Sequence, residues 1–215
     1  SNYAKESFGF FPRKVRTIYL GQRLKSLNLT KISKRENIVL SVGRVDPRKS
    51  YETLIEAIPL VNLQTNNVKF AIVGNTTEFQ EYFNKLKKMV NRYSINNLVF
   101  TGEMTDEELV GIYSSAKIFV LPSLHEMFGL VLVEAMNFGL PIIANDITAI
   151  PEVVTKDVGI LIEPKNAKML ADKIVYLIKN NEVLERMSLN AYERVKLFSW
   201  EKTYREYKKV LFSKH

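Results

Sequence analysis

The sequence predicts an α/β fold, a single Rossmann-like doubly wound parallel sheet, and three observations carry that prediction. Short apolar runs alternate with stretches of helical spacing through five or six units. Most runs end at a glycine or proline. No change of composition along the 215 residues marks a second domain, and a chain of this length can bury a substantial core. Residues 30–215 are read as that domain with its carboxyl-terminal helices, and residues 1–29 as a hinge or linker region.

In order, Val15 to Leu20 is a candidate edge strand within a stretch that otherwise lacks periodicity. Glu36 to Val42 reads as a central strand ending at Gly43, followed by the charged loop Arg44, Asp46, Arg48, Lys49. Tyr51 to Leu63 repeats apolar residues at helical spacing, with Pro59 expected to kink or shorten it. Val68 to Val73 is a strand closed by Gly74 and Asn75, and Thr77 to Tyr93 an amphipathic helix with Tyr82 and Phe83 inward. Leu98 to Thr101 is a strand ended by Gly102. Thr105 with Glu108 forms a capping-box start for the helix to Tyr113. Lys117 to Leu121 is a buried strand stopped by Pro122, with Lys117 read as a solvated end. Gly129 to Phe138 is a helix and Pro141 to Ala144 a strand. A helical turn at Pro151 to Val154, a strand at Gly159 to Ile162 and three helices follow: Ala167 to Ile178 behind an Asn166 cap, Glu182 to Lys196, and Trp200 to Phe212. Tyr204 and Tyr207 are read as helix-packing aromatics, and Glu152 as a cap for its own short helix.

Ser123 to Ala144 is the segment that apolar packing does not explain. Glu126 and Glu134 bracket a helix start at the end of a buried strand, where free backbone N–H groups and the positive end of the helix dipole suit an anion such as phosphate. The other polar residues also follow strands: Arg44 and Lys49, then Asn75, then Gly102 with Glu103, then Asp146. A parallel sheet gathers them at one edge. Arg44 and Lys49 are therefore candidate diphosphate ligands, and Glu126 and Glu134 candidate acceptors for sugar hydroxyls. Taken alone, Arg44 and Lys49 read first as a pair of exposed loop charges. Glu134 has a structural rival role as a carboxylate paired with a buried backbone N–H, and His125 is a loop residue with no nucleophile beside it.

Composition removes other classes. The chain has no cysteine and two histidines, His125 and His215, which excludes disulfides, thiolate catalysis and a histidine-rich metal site. Neither G-x-G-x-x-G nor the P-loop pattern is present. No run of about 18 apolar residues and no signal-peptide pattern is found, so the expected place is the cytoplasm, including a peripheral position at the cytoplasmic membrane face. The formal charge of +8 raises the question of nucleic acid. Its cations lie largely on helix faces, such as Lys85, Lys87, Lys88 and Arg92, and no nucleic-acid motif accompanies them, so no nucleic-acid partner is expected.

The pattern S-x-x-E-x-F-G-L-V-x-x-E-A-M-x-x-G-x-P-I-I-A, with V-G-R-x-x-x-x-K upstream, F-V-L-P-S, I-P-E-V-V, G-I-L-I-E-P and F-S-W, resembles the carboxyl-terminal nucleotide-sugar-binding domain of retaining GT-B glycosyltransferases, specifically family 4. The likeness spans Ile38 to Trp200. It implies transfer of a sugar from a nucleotide-sugar, such as a GDP- or UDP-sugar, with retention, without an obligatory metal or other cofactor. It implies that Arg44 and Lys49 meet the donor diphosphate, that Glu126 binds the donor sugar, and that Glu134 takes the ribose. Phe128, Gly129 and Leu130 would offer backbone N–H groups, Phe100, Thr101 and Gly102 would lie against the base, and Gly43 and Asn75 would line the donor site.

The chain departs from the family pattern at Ser50, where glycine is usual, at Ile147 to Ala149, which replaces a glycine-rich turn, and in lacking the amino-terminal acceptor-binding domain. A half enzyme is thus expected, inactive alone, with a saccharide or lipid-linked glycan as acceptor. The rivals are a non-catalytic nucleotide-sugar-binding or scaffold module, and a nucleic-acid binder using the basic surface.

Overall fold

The computed structural model describes residues 1–7, 16–24 and 31–212, with the backbone alone described at positions 4 and 5. The chain starts with a short helix, α1 (Asn2–Ser7), and then alternates: β1 (Ile38–Val42), α2 (Tyr51–Asn62), β2 (Lys69–Val73), α3 (Gln80–Arg92), β3 (Leu98–Gly102), α4 (Asp106–Ser115), β4 (Ile118–Leu121), α5 (Leu130–Asn137), β5 (Ile142–Asn145), α6 (Ile150–Val153), β6 (Gly159–Ile162), α7 (Ala167–Lys179), α8 (Asn181–Val195) and α9 (Trp200–Phe212).

The six strands form one sheet in the order β3-β2-β1-β4-β5-β6, and every pairing is parallel. Leu40 sits in register with Ala71 on one side and Phe119 on the other. All residues of β1, β4 and β5 are buried, which is why these strands read as continuous apolar runs instead of alternating ones. β3 is an edge strand, with Val99 half exposed. The chain winds outward from β1 to β3 and returns to place β4 beside β1. The loops leaving β1 and β4 therefore diverge, and the crevice between them is the topological switch point of the sheet.

Flanking the sheet, α2 packs with α3 and α7, and α5 packs with α8. Phe138, after α5, stacks on Tyr113 of α4 at 5.1 Å. The apolar residues that set the helical period of α2, namely Tyr51, Leu54, Ile55, Ile58 and Val61, are all buried, and the helix runs through Pro59 to Asn62. Thr105 and Glu108 make the anticipated capping box, and the Asn166 side chain accepts from Met169 N.

Several expectations need correction. Arg16 to Leu20 is irregular, not an edge strand, and Val15 lies outside the described residues. α3 begins at Gln80 and not Thr77, because Asn75 Oδ1 accepts from the N–H groups of Thr77 and Glu78 and holds that segment in a turn. Lys117 is buried, not solvated: its ammonium donates to Asn37 Oδ1 at 2.7 Å and to Ser33 O at 3.2 Å. Tyr204 and Tyr207 are exposed on α9, of which only Thr203 is buried. Glu152 caps a different helix from its own. Its carboxylate accepts from the Asn2 and Tyr3 N–H groups that open α1, at 2.9 and 2.6 Å, and from the Tyr19 hydroxyl at 3.0 Å.

Candidate functional site

Two loops build the site. The first leaves β1 at Gly43, whose carbonyl accepts from the Tyr51 hydroxyl at 3.0 Å. Asp46 then caps a 3-10 turn, Pro47–Lys49, accepting from Arg48 N at 2.9 Å. The pattern Asp-Pro in the loop that follows β1 is the sequence signal for this cap. Asp46 is almost wholly buried and also takes two bonds from the Arg48 guanidinium, at 3.2 and 3.0 Å. Burial alone works to raise its pKa, but the side-chain and backbone bonds from Arg48 outweigh that and hold it below the usual carboxylate range.

The turn aims Lys49 across the switch point. Its Nζ lies 2.5 Å from Glu126 Oε1 in the loop after β4. Glu126 is further fixed by the Ser123 hydroxyl, which donates to Oε1 at 2.9 Å, and by Thr148, whose hydroxyl accepts from Glu126 N at 3.2 Å. Leu124 N donates to Arg48 O at 2.7 Å, zipping the two loops together. Ser50 and Thr148 stand at the two departures from the glycine pattern, and both adopt the left-handed conformation, with φ of 50° and 48°. A glycine would take that conformation without strain. Here Ser50 is held by a hydroxyl contact with Thr53 at 3.0 Å, and Thr148 by its bond to Glu126.

Gly129, at φ 81°, turns the chain into α5. The resulting cleft has a volume of about 450 Å³ and is lined by Gly43, Arg44 and Lys49 from the first loop and by Glu126, Phe128, Gly129 and Leu130 from the second, together with Asp46, Arg48 and the exposed His125. Seven predicted site residues thus meet around one opening. Arg44 is half exposed and bonded to Glu78 at 3.0 and 3.1 Å, whereas Lys49 and Glu126 are mostly covered. Phe128 stacks on Tyr19 at 5.7 Å and meets Phe198 edge-on at 5.8 Å, so its ring anchors the loop and leaves the backbone to line the cleft.

The other predicted residues lie outside that lining. Glu134 is buried on α5, where the Tyr113 hydroxyl donates to Oε2 at 3.2 Å and Arg23 Nε lies 3.9 Å from Oε1. Its described partner is a hydroxyl, not the backbone N–H of the structural alternative. Burial raises its pKa, opposed by the Arg23 charge and the Tyr113 bond. Asn75 is engaged in its turn and donates to Glu103 at 3.2 Å. Phe100 packs edge-on against Phe83 at 5.2 Å, and Thr101 donates its hydroxyl to Gly102 O at 3.0 Å. Gly102 closes β3, bonded through its carbonyl to Gly74 N at 2.8 Å. Sequence reasoning did not single out Asp46, Ser123, Thr148, Tyr19 or Arg23. For Tyr19 and Arg23 no local signal existed, because their partners are distant along the chain. Among the described residues, no group of three histidine or acidic side chains is arranged to hold a metal ion, and no helix is long and apolar enough to cross a membrane.

A family model described as glycosyl transferases group 1 matches residues 24–194. This chain belongs to that family. Among curated relatives, the serotype-specific mannosyltransferase WbdA of Escherichia coli is 28% identical over 187 residues, covering 86% of this chain and 23% of the relative. A phosphatidyl-myo-inositol mannosyltransferase of Mycobacterium leprae is 33% identical, covering 75% of this chain and 42% of its own length. The chain spans less than half of each. Among solved structures, TarM of S. aureus, in a complex containing UDP, superposes with a TM-score of 0.80 at 26% identity, covering 98% of this chain and 42% of that one. The fold is accordingly the Rossmann-like unit of GT-B glycosyltransferases.

Proposed function

We propose that the chain is the donor-binding domain of a retaining, family 4 glycosyltransferase, which moves a hexose from a nucleotide-sugar to an acceptor held by a further, amino-terminal domain. The observation that carries this reading is the Lys49–Glu126 pair across the switch point, 2.5 Å apart beside the first turn of α5. In such a transfer the bond between the anomeric carbon and the diphosphate oxygen breaks, and the leaving diphosphate gains negative charge. Lys49, Arg44 and the amino-terminal end of α5 would stabilise that charge. The anomeric carbon bonds to an acceptor hydroxyl, whose proton is released. Glu126 would grip hydroxyls of the donor sugar, and Glu134 those of the ribose.

The names of two relatives favour mannose as the hexose, and UDP in the TarM complex favours a nucleoside diphosphate as the leaving group. The acceptor class on this reading is a saccharide or lipid-linked glycan. Because Arg44 and Lys49 supply the positive charge, the reading includes no obligatory metal. The expected place is the cytoplasm, at or near the membrane face, and the chain by itself is expected not to turn over without an acceptor-binding domain.

Calorimetric titration with GDP and with UDP tests the proposal. One of the two should bind, the affinity should survive chelation of divalent cations, and Glu134→Ala should weaken it. Failure of both nucleotides to bind would overturn the reading.

A further inference from the structure

Segment 16–24 runs beside the cleft, to which it contributes Leu20, and is tied down along its length. Thr203 Oγ1 donates to Tyr19 O at 2.7 Å, and Gln22 N donates to Phe198 O at 3.1 Å. A Cβ on Gly21 would lie 2.3 Å from Trp200 N, so the backbone rests directly on the start of α9. Leu24 is buried, and its carbonyl accepts from Asn137 Nδ2 at 2.9 Å. Asn137 stands on α5 three residues after Glu134. One stripe of α5 therefore carries the carboxylate and also fixes the backbone next to Arg23.

Arg23 reaches from that anchor between two carboxylates. Its Nη1 donates to Asp106 Oδ1, in the first turn of α4, at 2.6 Å, and its Nε stands 3.9 Å from Glu134 Oε1. The second distance is too long for a hydrogen bond. The guanidinium thus supplies charge to Glu134 while leaving the lone pairs of Oε1 unoccupied by it. On the opposite oxygen Glu134 has the Tyr113 hydroxyl, also from α4. Arg23, Asp106 and Tyr113 are the charged and titratable groups that bear on Glu134.

Resting on the ribose role proposed for Glu134, we propose that Arg23 is a positioning residue for the nucleoside: pinned through Leu24 and Asn137 and steered by Asp106, it keeps Glu134 an anionic acceptor for the ribose diol. A buried carboxylate without a nearby cation takes up a proton more readily, and a protonated acid accepts less well from two hydroxyls. Burial and Asp106 both push Glu134 toward protonation, and Arg23 is the cation that opposes them.

The test is the dissociation constant of whichever of UDP or GDP binds, measured calorimetrically between about pH 5 and pH 8 for the unmodified chain and for R23Q, R23K and E134Q. Affinity should fall on the acid side, and R23Q should move that fall to higher pH. R23Q should therefore bind several-fold more weakly than the unmodified chain on the acid limb, with the two constants converging by about pH 8. R23K should restore most of the loss. Binding by R23Q that matches the unmodified chain at every pH, or that is weaker by the same factor at every pH, would overturn the role given to Arg23 alone. If E134Q binds as tightly as the unmodified chain, the ribose assignment itself fails, and the proposal for Arg23 with it.

Discussion

Lys49 and Glu126 keep only 17% and 12% of their side chains exposed, so each depends on the other in a way that an exposed pair does not. Lys49→Ala is expected to weaken nucleoside diphosphate binding by ten- to a hundredfold, since one charge-assisted bond contributes about 1.5 to 3 kcal/mol. The same change leaves Glu126 covered with Ser123 as its remaining side-chain donor, so a lower unfolding temperature should accompany the loss of affinity. Arg44→Ala should cost less on both counts, because Arg44 is half exposed and already shared with Glu78 and Asp46. Parallel calorimetry and thermal unfolding of the two variants check this order, and an Arg44 effect as large as that of Lys49 would contradict it.

At the scale of elements, the site depends on how closely the ends of β1 and β2 approach. A Cβ on Gly74 would fall 2.2 Å from Gly43 O, backbone against backbone, at a φ of +143° that side chains rarely adopt. Gly74→Ala must push the two strand ends apart, and with them the loop that carries Arg44 and Lys49. We expect a loss of about 2 to 4 kcal/mol of stability, measured by urea unfolding, against a gain of about 0.5 to 1 kcal/mol for an alanine at Gly111, inside α4, where a Cβ meets nothing within 4 Å. The strands and caps were legible in the sequence because each is written locally: five or so buried apolar residues ending at glycine or proline, or Thr105 three places before Glu108. The convergence of Lys49 and Glu126 was legible one step further, through the rule that parallel strands gather their carboxyl ends. What could not be read were contacts that local pattern does not encode. Lys117 looks like a solvated strand end until Ser33 and Asn37 fold over it. Glu152 looks like the cap of its own turn until α1 arrives, 149 and 150 positions away in the chain. Arg23 carries no signal at all until Asn137 places it.

For the whole molecule, two buried carboxylates, Asp46 in the cleft lining and Glu134 outside it on α5, act on stability with opposite sign. The pKa of Asp46 is depressed in the folded state, so its contribution is fully present above the unfolded value of 3.8 and is lost as pH falls through the lower folded value. That of Glu134 is raised, so its contribution is present below the unfolded value of 4.5 and is lost as pH rises through the folded value. At neutral pH the fold thus gains from the first charge and is weakened by the second, as expected of a carboxylate with the ribose role proposed for Glu134. Asp46→Asn should therefore lower the urea midpoint at pH 7, with the difference from the unmodified chain closing as pH falls below about 3.8. Glu134→Gln should raise the midpoint at pH 7 while abolishing the ribose contribution proposed for this carboxylate, with its advantage disappearing as pH falls toward about 4.5. Urea midpoints for the three proteins across that range decide the matter: a Glu134→Gln variant less stable than the unmodified chain at pH 7 would mean that the carboxylate serves the fold, and the Tyr113 bond would then be its reason for being there.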